Sequence, residues 1–424
     1  MKQRDLKILP AHLLIMLAWR NLWRHRRRTL ITLSSIAIGF GLAVLFIGLG
    51  DGSHNSMIRN AIKLGEGHVT VQPNDYLIAP ANHKFITHGK SIANELGKLE
   101  IQGQVNPRIS LEVLASTANN SVGTALEGVA NADDRRFAVL RQDLIQGDGD
   151  IFRMERGVLI GEKLAKKLKA KIGSKIVIMA GKQGGDSQSQ LARVAGVFQS
   201  GLNEIDSYVI VSNLQFARQF LIGEGGAEEL EPVTRYAVFL DDPDSVTEWV
   251  DLLNTTFGKN NISVLDWQQM MPQLVQFIAI DDAGNYVFLV LILIMVVIGI
   301  INTVLMSVLE RTKEFGLLRA LGVNRTYLLL LVFCETLFLS MLSVFCGWIA
   351  GGSIHWWFSH YGIDFSELMS TEMAGTHMDS IIYTELSLDR VIQLTCIILA
   401  ATLITGIYPA IKAARVTPVE ALHT

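Results

Sequence analysis

Residues 286–309, YVFLVLILIMVVIGIINTVLMSVL, form an uncharged apolar run, and residues 310–322, ERTKEFGLLRALG, follow it directly. A helix needs about 20 apolar residues to cross a hydrocarbon core of about 30 Å. The run therefore predicts a transmembrane helix, because a helix satisfies its own backbone hydrogen bonds in lipid. The charged segment is too short to be a domain and too regularly patterned to be a simple turn, so it predicts an amphipathic helix beside the membrane.

Three further runs have the length of a membrane span. Residues 30–49 and 391–411 carry no charge, and residues 326–354 carry only Glu335. The sequence therefore predicts an α-helical membrane protein with four transmembrane helices and a large mixed α/β extracytoplasmic domain inserted after the first helix. We expect the transmembrane helices at 29–50, 284–309, 326–354 and 390–411. The other segments are a cytoplasmic amphipathic segment at 1–28, the extracytoplasmic domain at 51–283, a cytoplasmic helix at 310–325, an external loop at 355–389 and a cytoplasmic tail at 412–424.

Basic residues set the expected orientation. They cluster in residues 20–28 and 311–325 and recur at Lys412 and Arg415, whereas residues 351–389 contain none. Because Lys and Arg are enriched in cytoplasmic loops, we expect both termini and the 310–325 segment in the cytoplasm, with the large domain outside. All cysteines fall in predicted spans, so we expect the external domain to fold without disulfides.

The external domain combines strand and helix patterns. Residues 157–180, GVLIGEKLAKKLKAKIGSKIVIMA, indicate a strand, a basic helix, a stop at Gly173 and a second strand. Residues 234–257 indicate a strand, a proline-marked turn and a helix. Residues 266–284 predict an outward continuation of the second span, unless Pro272 interrupts the helix.

Catalytic and nucleotide-binding motifs are not found in the sequence. It lacks G-x-x-x-x-G-K-[ST], the phosphate-binding loop of many ATPases, and it lacks H-E-x-x-H and G-x-S-x-G. The histidines are scattered, with no spacing typical of metal ligands. We therefore expect a protein that is not an enzyme and has no catalytic residues, metal or cofactor of its own.

Glu335 is the ionisable residue deepest in a predicted span. At a rise of about 1.5 Å per residue from Thr326 it lies near mid-membrane, where an exposed charge costs on the order of 3 kcal/mol. It should therefore face other helices, and Asn302 in the second span is a plausible partner. Structural packing is favoured over a proton relay for these intramembrane polar residues, because a relay needs further acids or histidines in the spans; a functional role stays open.

The 310–322 segment has the pattern of a docking helix. Phe315, Leu318 and Leu321 recur at a spacing of three and predict one apolar face. Gly316 and Gly322 permit a close approach or a C-terminal turn. Anionic lipid would explain the basic residues but not the acidic ones, so docking into a protein groove is favoured over a lipid surface. The candidate contact residues are Glu310, Arg311, Lys313, Glu314, Phe315, Gly316, Leu318, Arg319, Leu321 and Gly322.

Four stretches of the chain resemble one family. Residues 310–338, ERTKEFGLLRALGVNRTYLLLLVFCETLF, are similar to the segment after the second span in ABC transporter permeases of the MacB/FtsX-like superfamily. Residues 18–52, 157–180 and 408–422 resemble the first span, part of the periplasmic domain and the closing pattern of these permeases. The layout is closest to that of the lipoprotein-releasing (Lol-type) subunits, because no ATPase segment precedes the first span in this sequence.

The resemblance implies a permease that transmits force. A separate cytoplasmic ABC ATPase, expected in two copies, would bind ATP and Mg²⁺ and move residues 311–321 as a coupling helix. The spans would relay this movement to the periplasmic domain. The other partners implied are a second permease chain, identical or paralogous, membrane lipid and a periplasmic carrier or adaptor; no nucleic acid is expected. The resemblance also places the chain in the bacterial inner membrane.

The resemblance further implies a lipoprotein or another lipidated or amphipathic substrate, which would enter between the first and second spans. Leu45, Leu49, Phe288 and Ile292 lie near the outer ends of these spans, where they either line such a cavity or face lipid. The alternative function is that of a non-transporting regulator, which relays the state of the ATPase to periplasmic partners such as wall hydrolases, as FtsX-like permeases do.

Overall fold

The computed structural model describes residues 11–24, 26–181, 187–222, 231–258, 261–365 and 381–415. They form two compact units. A helical unit contains the described parts of Met1–Asn55, Ile278–Phe365 and Ile381–Thr424, and an α/β unit contains those of Ser56–Phe277. The predicted N-terminal segment at 1–28, the loop at 355–389 and the tail at 412–424 lie partly outside the described residues.

The helices and strands follow in chain order. The helices are α1 (Ala11–Arg24), α2 (Arg26–Leu64), α3 (Gly89–Lys98), α4 (Arg135–Gln142), α5 (Glu162–Leu168), α6 (Asn203–Tyr208), α7 (Leu214–Ile222), α8 (Val246–Phe257), α9 (Trp267–Met270), α10 (Pro272–Glu310), α11 (Thr312–Ala320), α12 (Arg325–Tyr361) and α13 (Leu388–Ala414). The strands are β1 (Val69–Pro73), β2 (Gly103–Ser116), β3 (Ser121–Val129), β4 (Leu144–Gly147), β5 (Gly157–Gly161), β6 (Lys175–Gly181), β7 (Ser187–Phe198), β8 (Val209–Asn213), β9 (Arg235–Leu240), β10 (Ile262–Asp266), β11 (Ile363–Asp364) and β12 (Ile381–Ile382).

Helices α2, α10, α12 and α13 are long and apolar enough to cross a membrane. Each contains one of the predicted apolar runs, and the first two extend well beyond them. Helix α10 begins at Pro272, so this proline starts the helix and does not interrupt it. The first helical position tolerates proline because the N–H that proline lacks would have no partner within the helix there.

Small residues bring the helices of the helical unit close together. A Cβ atom added at Gly351 of α12 would lie 3.1 Å from the Cα atom of Gly41 in α2. A Cβ atom at Gly347 would lie 2.6 Å from a ring carbon of Phe40. A glycine at each of these contacts allows close van der Waals packing, which stabilises helix pairs in lipid. Between α12 and α13, Trp348 Nε1 donates to Thr395 Oγ1 at 2.9 Å.

The α/β unit is built on a mixed sheet with the strand order β10-β1-β9-β2-β3-β8-β5-β7-β4, in which β6 pairs with β2 and β7. The predicted strand, helix and strand at 157–180 are confirmed as β5, α5 and β6. These two strands do not pair with each other. Strand β7 lies between them, parallel to β5 and antiparallel to β6.

Strand β2 connects two apolar cores of this unit. Along its second half, Ile109, Leu111, Val113 and Ala115 are buried at every second position, as expected for a strand with one face on a core. They pack with α5 and α7 in the first core. The second core lies between β1, β9 and α8 and includes the fully buried Phe257.

Candidate coupling site

Helix α11 is a separate helix with a well-defined end. Val323 N–H donates to the Leu318 carbonyl and Gly322 N–H to the Arg319 carbonyl, both at 3.0 Å. This is the Schellman arrangement, which needs a left-handed residue just after the helix. Gly322 supplies it with φ of +92°. Helix α12 then begins after Asn324, whose side chain accepts from Thr326 N–H.

Arg311 ties α11 to the neighbouring helices. Its side chain is 9% exposed, with Nη1 3.1 Å from Glu335 Oε2 on α12 and Nε 3.2 Å from Glu314 Oε2 on α11. Its guanidinium also lies over the Phe315 ring, 5.1 Å from the centroid. Arg24 of α1 contacts the other oxygen of Glu314 at 2.6 Å. The four charged groups form a chain of ion pairs from α1 through α11 to α12.

Arg24 and Arg311 stabilise the ionised form of Glu314. Burial would raise the pKa of the Glu314 carboxyl, but the hydrogen bonds from Arg24 and Arg311 outweigh this and lower the pKa below its ordinary value. Charge-assisted hydrogen bonds of this kind are stronger than neutral ones. Glu314 is therefore an anion at neutral pH, and it links the two arginines.

The faces of α11 differ in part from the predicted pattern. Phe315 is fully buried and Gly316 is buried, and Leu318 is half-buried against the same apolar cluster. Leu321, predicted on this face, is 74% exposed because the helix ends at Ala320 and Leu321 belongs to the turn. Leu317, which the sequence argument missed, is 63% exposed. Its spacing of four from Leu321 is the signal that identifies this exposed apolar pair.

The remaining predicted contact residues lie around this helix. Glu310 is the exposed last residue of α10, and Lys313 is exposed on α11. Arg319 Nη1 donates to the Val323 carbonyl at 3.2 Å and so supports the turn after the helix. The structure thus brings the predicted residues together on one short helix and its two ends.

The expected partnership between Asn302 and Glu335 is wrong. The Glu335 carboxylate forms an ion pair with Arg311, which was predicted only as a contact residue of the 310–322 segment. The Asn302 side chain is exposed on α10. An arginine satisfies a carboxylate in a low-dielectric region better than a neutral amide does, because it supplies both charge and donors. Glu335 therefore belongs to the network of α11.

The predicted substrate-cavity residues lie on α2 and α10. Leu45 and Leu49 are half-buried, Ile292 is half-buried against an apolar cluster, and Phe288 is 52% exposed. Phe46, which the sequence argument missed, has its ring centroid 4.8 Å from that of Phe288. This aromatic pair joins the two helices at the level of the predicted residues.

A second group of polar residues joins α2 to the N-terminal parts of α10 and α13 within the helical unit. His54 Nε2 lies 2.8 Å from Asp281 Oδ2, and its Nδ1 lies 3.6 Å from Asp282. Arg390 Nε lies 3.4 Å from Asp51 Oδ2. No local pattern in the sequence reveals that the two adjacent aspartates have a histidine partner on another helix.

Comparison with known proteins agrees with this architecture. Residues 29–256 match the family model of the MacB-like periplasmic core domain, and residues 286–418 match that of the FtsX-like permease C-terminal. Within the described residues, four helices long and apolar enough to cross a membrane, a short charged helix between two of them and an α/β unit agree with the architecture of a membrane permease. The chain belongs to the MacB/FtsX-like superfamily, with the layout of the Lol-type proteins, and is an ABC transporter permease subunit.

Curated relatives from both the lipoprotein-releasing and the macrolide-export groups align over almost the whole chain. The lipoprotein-releasing system transmembrane protein LolE of Haemophilus influenzae is 23% identical over 425 residues, which cover 96% of this chain and 98% of the relative. The macrolide export ATP-binding/permease protein MacB of Shewanella oneidensis is 25% identical over 418 residues, which cover 94% of this chain and 58% of the relative. Among solved structures, the periplasmic region of MacB from Actinobacillus actinomycetemcomitans is 19% identical, covers 52% of this chain and 97% of that one, and has a TM-score of 0.35. Permeases of this family work with a cytoplasmic ATPase.

Proposed function

We propose that the chain transmits the movement of a separate cytoplasmic ATPase through α11 to its α/β unit, and so extracts a lipoprotein or another lipidated or amphipathic substrate from the inner membrane. The observation that carries this proposal is the ion-pair chain centred on Arg311. A force on α11 acts on Glu335 of α12 and, through Glu314, on Arg24 of α1. A helix that only rested on lipid would not need these links.

The outer face of α11 suits contact with a protein. Leu317 and Leu321 are largely exposed, and Lys313 lies on the same exposed side of the helix. Exposed leucines flanked by charge are typical of a helix that docks into a groove of a partner. The partner we propose is the ATPase, in two copies, which binds ATP and Mg²⁺. The assembly would also contain a second permease chain.

The proposed orientation follows from the basic residues around α1 and α11. It places these helices and both termini in the cytoplasm and the α/β unit in the periplasm. The proposed substrate path lies between α2 and α10, where Phe46 and Phe288 form an aromatic contact beside Leu45 and Leu49. The lipoprotein-releasing function named for LolE supports this choice of substrate class.

Reconstitution in liposomes tests the proposal. The chain is combined with a candidate ABC ATPase, a radiolabelled lipoprotein and a soluble acceptor, and both ATP hydrolysis and substrate release are measured. We expect ATP-dependent release from the wild type. A double variant, Leu317→Asp with Leu321→Asp, should reduce release about tenfold or more, since a lost docking contact of about 1.4 kcal/mol changes an equilibrium constant tenfold.

The matched control is Ile78→Asp, which changes an even more exposed apolar residue, in the α/β unit. It should leave both ATP hydrolysis and substrate release unchanged. Release that persists in the double variant would remove the coupling role of α11. Hydrolysis that never releases substrate, but changes the activity of a periplasmic partner, would replace transport by the regulatory function.

A further inference from the structure

The helical unit contains a cavity beside the ion pair of Arg311 and Glu335. Its volume is about 40 Å³, which gives room for roughly three water molecules, since one needs about 10–15 Å³. Residues of α1, α2, α10, α11 and α12 line it. The cavity therefore lies where the long apolar helices α2, α10 and α12 approach the short helix α11.

The wall of this cavity is rich in polar side chains. Its residues with side-chain oxygen or nitrogen atoms are Asn21, Thr29, Thr303, Ser307, Arg311, Glu335 and Thr336. The three threonine hydroxyls donate to backbone carbonyls. The side chains of Asn21 and Ser307, in contrast, form no hydrogen bond with another described residue. Polar groups inside a protein are paired in most cases, so these two side chains need a partner in the cavity.

The polar atoms of the wall are open to the cavity. Asn21 and Ser307 are half-buried, and neither contributes to the fully enclosed side-chain atoms that lack a partner among the described residues. Arg311 uses Nε for Glu314 and Nη1 for Glu335. Its Nη2 group finds no acceptor among the same residues and is not enclosed by protein atoms either. A molecule in the cavity can therefore reach an amide, a hydroxyl and a guanidinium N–H.

Water satisfies this wall better than a lipid chain or an ion does. An acyl chain can pack against Leu22, Val308 and Leu339, but it offers no donor or acceptor to the polar atoms, which would stay unpaired. The described part of the wall carries one cation and one anion, Arg311 and Glu335, which already pair at 3.1 Å. An ion would therefore gain little. Water both donates and accepts, and a buried water makes about three hydrogen bonds.

We propose that this cavity is an aqueous pocket, in which water binds Asn21, Ser307 and Arg311 Nη2 and hydrates the ion pair of Arg311 and Glu335. Water in the pocket keeps the local dielectric constant above that of a dry helix contact, so the two charges separate at a lower cost. The pocket therefore allows α11 to shift against α12. This last step rests on the proposed coupling role of α11, whereas the pocket itself does not.

Thiol labelling of the full chain in lipid nanodiscs tests this proposal. The three cysteines of the chain are replaced by alanine, and Ser307→Cys adds one thiol to the cavity wall. The reagent is a methanethiosulfonate with a quaternary ammonium group, which stays in water and reacts with the thiolate. The matched control is Met306→Cys, since Met306 is adjacent in α10 and 50% exposed but does not line the cavity. We expect Ser307→Cys to react about tenfold or more faster, because lipid disfavours both the thiolate and the charged reagent.

Further variants locate the water. Val304→Trp fills the cavity from α10 and should slow the labelling of Ser307→Cys about tenfold, because it leaves no room for water. Met306→Trp should leave that rate unchanged. Thr303→Cys, one helical turn away on the same wall, should also react faster than Met306→Cys and serves if Ser307→Cys fails to fold.

Labelling in denaturing detergent confirms that each thiol is present. Equal rates at the wall positions and at position 306 would indicate an acyl chain in the cavity and would overturn the proposal. A rate at position 307 that Val304→Trp leaves unchanged would overturn it as well. The assay contains no ATPase, so its outcome is independent of whether the chain is coupled to one.

Discussion

The ion pair between Arg311 and Glu335 permits a quantitative prediction. The two side chains are 9% and 18% exposed and 3.1 Å apart. Removal of one partner from a buried pair costs about 3–5 kcal/mol. Here Arg311 keeps Glu314 as a second acceptor, so we expect Glu335→Gln to lower the free energy of unfolding by about 2 kcal/mol, within the range for a buried group that loses a charged partner.

A double-mutant cycle isolates the pair. The cycle combines Arg311→Gln, Glu335→Gln and both changes, and the free energy of unfolding is measured in mixed micelles with increasing denaturing detergent. We expect a coupling energy of about 1–2 kcal/mol, typical of residues in direct contact. Glu310→Gln, at the exposed end of α10, provides a control whose coupling with Arg311→Gln should be smaller. A coupling energy near zero for Arg311 with Glu335 would refute the link between α11 and α12.

Three further predictions concern the fold. Burial raises the pKa of Glu66, but Arg235, Arg108 and Arg136 outweigh this effect and leave the pKa in the folded state below its ordinary value. The stability that Glu66 contributes is therefore present above the unfolded pKa of 4.5 and is lost as pH falls through the folded pKa. The free energy of unfolding measured against pH should show a loss in acid that Glu66→Gln reduces. Gly322→Ala should cost about 1–2 kcal/mol in thermal unfolding because φ is +92° there, whereas Gly97→Ala, with open space at Cβ, should cost nothing. Gly351→Val should lower stability by about 1–3 kcal/mol through overpacking against α2, and Gly352→Val, which meets no atom within 4 Å at Cβ, should have little effect; equal effects would contradict the close packing.

The sequence predicts those features that depend on local pattern. The long apolar runs identify α2, α10, α12 and α13, because a span must be uniformly apolar over its length. The glycine at 322 predicts the end of α11 for a similarly local reason, since a left-handed residue favours glycine. The strand, helix and strand at 157–180 follow from a change of hydrophobic period within a few residues.

Features that depend on distant contacts were not predictable from the sequence. Strands β5 and β6 are close in sequence but are separated by β7, and no local pattern encodes that order. Glu335 meets Arg311 and not Asn302, because the arrangement of α10, α11 and α12 decides which side chain reaches the carboxylate.

Photocrosslinking from α11 tests the central claim most directly. The photoreactive residue p-benzoylphenylalanine replaces Leu317 in one variant and Ile78 in another, both at exposed positions, and the full chain is irradiated in cells. We predict that the variant at position 317 forms an adduct with a cytoplasmic ABC ATPase, identified by mass spectrometry, and that the variant at position 78 does not. An ATPase adduct absent at 317, or formed equally at 78, would contradict the assignment of α11 as the coupling helix.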